Sequence, residues 1–168
     1  MLRSGAGDLG LLTLPIDESD LITVPVLREE LLLVTPPNHP LAKKRRIVPQ
    51  DLAGEPFVLF EPGSATRRVI DSLFVTEHIE PTIVMDTENV EIIKSMVAAG
   101  LGISIVPFQS VERETRGGTL KVARIRGQRL VRETGWVYGA DERTPRVVQE
   151  MMATFARIAA ELQPSAEV

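Results

Sequence analysis

Between residues 31 and 107, three short apolar runs typical of β-strands each end in turn-forming residues, and two of them lead directly into a helix start. The run at residues 57–60 enters the turn at 61–64, and the run at 83–85 enters the turn at 86–89. In open α/β sheets, such crossings leave polar side chains and free helix-start N–H groups at the carboxyl ends of strands. This pattern predicts a binding site for a small molecule.

The chain has 168 residues, enough for one domain or two small lobes. No apolar run approaches the roughly 20 residues that a membrane helix needs, and the start lacks an export-type pattern. The sequence contains no cysteine, which excludes disulfide bonds. These features predict a cytoplasmic location. A net charge of −4 argues against nucleic-acid binding by this chain alone.

Strands and helices alternate along the chain, which predicts an α/β fold with mostly parallel sheets. The predicted strands cover residues 9–14, 22–27, 31–35, 57–60, 82–85, 103–106, 120–125 and 133–138. The predicted helices cover residues 64–78, 88–99 and 145–162. Gly100 is suited to end the second helix in a left-handed conformation. The last helix carries an apolar stripe from Val147 through Met151 and Phe155 to Ile158 and Leu162.

Several motifs in register resemble a known family. They are residues 7–15, 25–34, 38–42, 51–56, 61–64 and 96–107. Their order and spacing resemble the effector-binding domain of LysR-type transcriptional regulators, over roughly residues 4–162. None of these motifs is decisive alone, but six in register are far more specific than one.

The resemblance implies a type 2 periplasmic-binding-protein-like fold, a two-lobed sandwich with a mostly parallel sheet in each lobe. The first lobe would comprise residues 1–30 and 141–168, and the second lobe residues 31–140. On this interpretation the first lobe is incomplete, and the winged helix-turn-helix that binds promoter DNA in such regulators is absent from this chain. The resemblance also implies homodimers or higher oligomers that form through the family's effector-domain interface.

A candidate effector site follows from the residues and from the resemblance together. A helix starting at Ser64 offers unpaired N–H groups and a positive dipole end that suit an anionic effector, and Thr66 adds a hydroxyl. By resemblance, one wall belongs to the second lobe and the other wall to the first. The candidate residues are Glu61, Pro62, Gly63, Ser64, Thr66, Thr87, Glu88 and Asn89 in the second lobe and Thr13, Leu14 and Pro15 in the first.

Simpler interpretations stay open for these residues. Ser64 and Thr87 are good helix caps whether or not a ligand binds there. Glu61 and Glu88 can be solvated charges, and they would repel an acid. The basic run at residues 43–46 fits a solvated loop, with contact to DNA phosphates or a polymerase as the alternative.

Other function classes find little support in the sequence. Ser64 lies outside any nucleophile motif, and neither His39 nor His78 has a partner at catalytic or metal-binding spacing. We therefore expect no enzymatic activity, no metal and no cofactor. The predicted function is effector sensing by a LysR-type regulator, with a small effector held between the lobes. The alternative is a solute-binding receptor of periplasmic-binding-protein type with no transcriptional role.

Overall fold

A computed structural model describes residues 7–16, 18–140 and 145–159. Within these ranges the chain forms strands and α-helices in the order β1 (Gly10–Leu14), β2 (Leu21–Thr35), β3 (Pro56–Leu59), α1 (Ala65–Thr76), β4 (Thr82–Asp86), α2 (Val90–Ala98), β5 (Ser104–Pro107), α3 (Phe108–Arg116), β6 (Lys121–Ala123), β7 (Val131–Gly139) and α4 (Arg146–Ala159). Two short 3-10 turns, Pro40–Lys43 and Pro49–Leu52, lie between β2 and β3.

The chain divides into two compact units. The first contains the described residues up to Glu29 and those from Arg132 onward, and the second contains Glu30–Val131. Strand β7 falls in the first unit, where it pairs with β1 along its length. The predicted lobe boundaries at residues 30 and 140 stay a prediction.

In the first unit, β1 runs antiparallel to β7, with Gly10 opposite Val137 and Leu14 opposite Glu133. On its other side β7 neighbours β2. The Trp136 ring packs edge-on against Phe155 of α4, with ring centroids 5.2 Å apart. The packing of α4 differs from the predicted stripe, since Val148 is buried whereas Val147, Met151 and Ile158 are exposed.

In the second unit, β2 pairs antiparallel with β5 and with β6. Parallel pairing is found between β3 and β4 and in isolated bridges such as that between Phe57 and Ile103. The expectation of mostly parallel sheets is therefore wrong for these strand pairs, although the α/β class holds. The prediction of parallel strands came from the alternation of strands and helices. Among the described elements, this alternation holds from β3 to β5, where helices connect successive strands.

The core of the second unit is formed mainly by residues of β2, β3, β5, α1 and α2. Phe57 is fully buried and meets Phe74 of α1 edge-on, with ring centroids 5.2 Å apart. Other residues of this core with no more than 1% exposure include Leu59, Ile70, Ile93, Val97, Ile103 and Ile105. Lys94 ties α2 to α3 by donating to Glu114 Oε1 at 2.9 Å and to the Ser110 carbonyl at 3.1 Å.

Two elements differ from the sequence prediction for identifiable reasons. Strand β2 is continuous where two strands were predicted, because the charged residues in its middle are ion-paired: Glu29 with Arg132 at 2.7 Å and Glu30 with Arg124 at 2.7 Å. Helix α3 was not predicted, since its sequence is mostly polar and Val111 is its one fully buried residue.

Among the described helices, none is long and apolar enough to cross a lipid bilayer.

Candidate functional site

The first helix start of the candidate site follows β3. Gly63 has φ of 86°, a left-handed conformation that glycine adopts without strain, and it turns the chain from the strand into α1. Ser64 is extended, and its Oγ accepts a hydrogen bond of 3.1 Å from the Arg67 N–H. The predicted cap at Ser64 is confirmed. The remaining first-turn N–H groups point out of the helix end, as in any α-helix.

The second helix start follows β4, but the capping residue differs from the prediction. Asn89 is the N-cap, and its Oδ1 accepts from Glu91 N–H at 2.9 Å. The Thr87 side chain also stabilises this turn, since its Oγ1 accepts from the Asn89 N–H at 3.2 Å. A helix starting at Glu88 is wrong because Asn89 is itself extended, with φ of −93° and ψ of 108°.

Both helix starts lie at one edge of the β3–β4 sheet. The two strands are parallel, with Leu59 opposite Asp86 at their carboxyl ends. The Thr87 N–H donates to the Leu59 carbonyl at 3.0 Å and extends this pairing by one residue. The predicted arrangement of the two helix starts on the carboxyl edge of a parallel pair is therefore confirmed, whereas ligand binding there stays a prediction.

Arg67 joins the two helix starts, and sequence reasoning missed it. Its side chain is 8% exposed, and its Nη1 donates both to the Phe60 carbonyl, at 2.8 Å, and to Asp86. Its Nε donates to Asp71 Oδ1 at 2.7 Å, one helical turn along α1. The guanidinium thus connects the end of β3, the end of β4 and the first turns of α1. The four-residue spacing from Arg67 to Asp71 was the available signal.

The charge of Arg67 is well supported. Burial would lower its pKa, but the hydrogen bonds to Asp71 and Asp86 outweigh burial, and the pKa lies above its ordinary value. Because a guanidinium stays protonated in proteins, Arg67 keeps its positive charge near neutral pH.

Two carboxylates lie in the sequence of the helix starts. Glu61 and Glu88 are exposed and have no described partner. The edge therefore combines helix-start N–H donors with carboxylate acceptors.

The remaining candidate residues differ in accessibility. Thr66 and Thr87 are buried, with exposures of 4% and 8%, and a role of their hydroxyls in ligand binding stays a prediction. Pro62 and Gly63 are exposed and form the turn. In the first unit, Thr13 is opposite Thr134 and Leu14 ends β1, followed by Pro15. The described residues contain no group of three or more His, Cys, Asp or Glu side chains that could hold a metal ion.

Comparison with known proteins assigns the family. The model for the LysR substrate binding domain matches residues 1–160, so the chain belongs to the LysR substrate-binding domain family. Its curated relatives include the uncharacterized transcriptional regulator YybE of Bacillus subtilis, 34% identical over 138 residues, which covers 82% of this chain and 47% of the relative. The regulator CbbR of Xanthobacter flavus is 35% identical over 135 residues, or 79% and 40% of the two chains.

Solved structures of the same family share the fold. The regulatory domain of Synechocystis CcmR, in complex with 2-PG, superposes with a TM-score of 0.85 at 25% identity and covers 94% of this chain and 76% of that one. The effector-binding domain of QuiR, in complex with shikimate, gives a TM-score of 0.83 at 27% identity, covering 95% and 75%. The α/β effector-domain fold is thereby confirmed. This chain spans less than half the length of these two curated regulators.

Proposed function

We propose that this chain is the effector-sensing part of a LysR-type transcriptional regulator. Its ligand is a small anionic metabolite. Binding of this metabolite alters how separate DNA-binding domains sit on a promoter, so the protein works in the cytoplasm beside its DNA. The chain carries out no reaction and uses no cofactor. The named relatives are transcriptional regulators, which favours this proposal over a solute receptor.

The shared edge of the β3–β4 sheet is the observation that carries the proposal. Two helix starts, capped by Ser64 and Asn89, meet there on strands locked together by Arg67. Helix N-termini favour anions because their N–H groups and dipoles present positive potential. Shikimate, the ligand in the QuiR structure, is a carboxylate and fits this chemistry.

Within this proposal the second unit contributes the turn 61–64, Thr66 and the segment 87–89 to the effector site. Residues 13–15 of the first unit stay a prediction from the family resemblance. Ser64 is the leading candidate, since its hydroxyl accepts from Arg67 N–H and retains a proton to donate to a ligand. Glu61 and Glu88 would accept hydrogen bonds from hydroxyl groups of the effector, which selects a hydroxylated acid over a simple one.

Replacing Ser64 by Asp separates capping from effector binding. Asp is as good an N-cap as Ser, so α1 should be retained, whereas its negative charge repels an anion at the helix start. We expect a panel of hydroxylated carboxylates that includes shikimate to contain at least one ligand that raises the melting temperature. For that ligand, S64D should weaken binding about tenfold, corresponding to roughly 1.4 kcal/mol of added repulsion.

The matched control adds the same charge elsewhere in the second unit. Ser95 is exposed on α2, and its Oγ donates to the Glu91 carbonyl at 2.8 Å, away from the helix start. S95D should bind the ligand as the unaltered chain does, by calorimetric titration. Equal affinities of S64D and S95D would remove Ser64 from the site, and a panel without any ligand would count against an anion site at this edge.

We also propose a homodimer that uses the open side of β4. Among the described strands β4 pairs with β3 alone, and its Val84 and Ile83 are 48% and 38% exposed. An uncovered apolar edge strand is a ready template for association. The exposed Val75, at 74%, adds apolar surface on α1 of the same unit.

Replacing Val84 by Lys should disrupt this dimer, because a charge on an edge strand opposes pairing and is costly to bury. Sedimentation velocity over a dilution series should show the monomer predominating in V84K at concentrations where the unaltered chain is dimeric. The control is Leu101→Lys, since Leu101 is 55% exposed in the loop before β5. A dimer that persists in V84K, or dissociates equally in L101K, would contradict the role of β4.

A further inference from the structure

The basic residues of the second unit are concentrated in two stretches that are distant in sequence. Residues 43–46 and 121–129 together contain eight basic residues and no acidic one, although the whole chain has a net charge of −4. These residues are Lys43, Lys44, Arg45, Arg46, Lys121, Arg124, Arg126 and Arg129, and all eight are exposed. The net charge of the chain therefore conceals a strong local segregation of charge.

The fold brings the two stretches together. Ile47, directly after the first stretch, forms a parallel bridge with Ile125 in the second. The Arg126 N–H donates to the Ile47 carbonyl at 2.7 Å, which places Arg46 and Arg126 on adjoining backbone. Ile47 and Ile125 are buried, with exposures of 1% and 4%, so this junction is anchored in the core. We call the resulting surface, formed by residues 43–46 and 121–129, the basic face.

Glu77 of the α1 C-cap connects the second stretch of the basic face to the 3-10 turn Pro49–Leu52. Its Oε1 accepts from Gln128 Nε2 at 2.6 Å, and its Oε2 accepts from Gln50 Nε2 at 3.3 Å. A cavity of about 440 Å³ lies beside this connection, lined by Glu30 and residues 124–129. The loop that carries Arg126 and Arg129 is thus held in place on one side by backbone pairing and on the other by side-chain hydrogen bonds.

Few of these cations are neutralised by the protein itself. Lys44 pairs with Asp51 at 2.7 Å, and Arg124 pairs with Glu30 through two bonds of 2.7 and 2.8 Å. Within the described part of the chain, the other six make no ion pair. Arg129 also attracts the Glu30 carboxylate, so five exposed cations on this face have no acidic partner among the described residues. These cations repel one another, and a polyanion that spans them would relieve this repulsion.

We propose that the basic face binds the sugar-phosphate backbone of DNA. The choice of DNA as the ligand rests on the proposed function, which places the chain beside a promoter. The composition of the face also favours it, because protein interfaces are anchored by apolar and aromatic side chains. None of the exposed large hydrophobic residues described in this structure lies in residues 43–46 or 121–129. Phosphate contacts need no such anchor, and the guanidinium fork suits phosphate oxygens.

The test measures binding of the purified chain, without effector, to a fluorescent DNA duplex of about 20 base pairs. At 50 mM salt we expect a Kd on the order of 1 to 100 µM, with affinity falling as salt rises at a log–log slope of about −4 to −5. The double variants Arg45→Gln with Arg46→Gln and Arg126→Gln with Arg129→Gln should each bind at least tenfold more weakly. Each should also reduce the magnitude of the slope by about 2.

The control pair removes the same charge from another surface of the second unit. Arg113 and Arg116 are exposed on α3, and their replacement by Gln should leave the affinity and the slope unchanged. A polyglutamate of equal charge should bind more weakly than DNA at the same salt concentration. The proposal is overturned if DNA does not bind at 50 mM salt, if the control pair loses as much affinity, or if polyglutamate binds equally well, which would indicate an acidic protein partner. The S64D experiment reports on the effector site independently, so its failure leaves this result interpretable.

Discussion

Arg67→Met should lower the free energy of unfolding by about 3 kcal/mol, because a buried cation with charge-assisted hydrogen bonds leaves its partners unsatisfied when it is removed. The Phe60 carbonyl loses its donor, and Asp71 and Asp86 lose their counter-charge. Asp71 and Asp86 are 47% and 37% exposed, so water compensates them in part, which keeps the estimate at the lower end for a buried pair. Urea unfolding monitored by circular dichroism measures the change.

Arg68 provides the matched control one residue along α1. It is exposed and donates to the Gly63 carbonyl at 2.7 Å, so Arg68→Met removes the same functional group from the surface. We expect a cost below about 0.5 kcal/mol. Arg67→Lys should recover part of the loss, since an ammonium keeps the charge but lacks the planar fork. Similar midpoints for R67M and R68M would show that the cluster at the strand ends does not stabilise the fold.

The stability of this cluster bears directly on the proposed site. Arg67 fixes Phe60 and Asp86, the residues that precede the two helix starts. If the effector binds the helix-start N–H groups, their spacing must be set before binding, since preorganised donors cost less to engage. R67M should therefore weaken effector binding as well as folding, in contrast to S64D, which should weaken binding alone.

Local sequence signals located the start of α1 and the end of α2 correctly. Ser64 precedes an apolar periodic stretch and caps α1, and Gly100 ends α2 with φ of 77°. These features depend on a few adjacent residues, and their conformational preferences are strong enough to act without tertiary help. The position of the second cap was wrong by two residues because Thr87, Glu88 and Asn89 all suit a helix start.

Features that depend on contacts between distant residues could not be predicted from the sequence. The fork of Arg67 reaches Asp86, 19 residues away, and the continuity of β2 depends on Arg124 and Arg132, roughly a hundred residues from their glutamate partners. The antiparallel pairing of β1 with β7 likewise joins opposite ends of the chain. Periodicity identifies a strand but not its neighbour, so strand direction was predicted from the general pattern and was wrong there.

Gly102 lies against the backbone of β3, a contact that the neighbouring sequence does not indicate. It is buried at the entrance to β5, two residues after the glycine that ends α2. A Cβ placed on it would lie 2.8 Å from the Pro56 carbonyl oxygen and 3.3 Å from the Pro56 carbonyl carbon. These are backbone atoms of β3, so a rotamer change cannot relieve the contact.

Gly102→Ala should destabilise the second unit by about 1 to 3 kcal/mol, the usual cost of overpacking a well-packed core. The backbone there cannot separate freely, because the Ile103 N–H donates to the Pro56 carbonyl at 2.8 Å and the Val58 N–H donates to the Ile103 carbonyl at 2.9 Å. Relief of the clash must stretch these hydrogen bonds or shift β3. A shift of β3 would move the turn that leads to Ser64, so G102A should also weaken effector binding.

Gly7 is the control for the general effect of adding a methyl group to a glycine. No heavy atom lies within 4 Å of a Cβ placed on it. Gly7→Ala should therefore change the stability little, or raise it by up to about 1 kcal/mol through a less flexible unfolded chain. The urea unfolding midpoint of G102A should therefore be lower than that of G7A. If G102A unfolds at the midpoint of the unaltered chain, β3 and β5 can separate without cost, and the rigid strand edge on which the proposed effector site depends would lose its support.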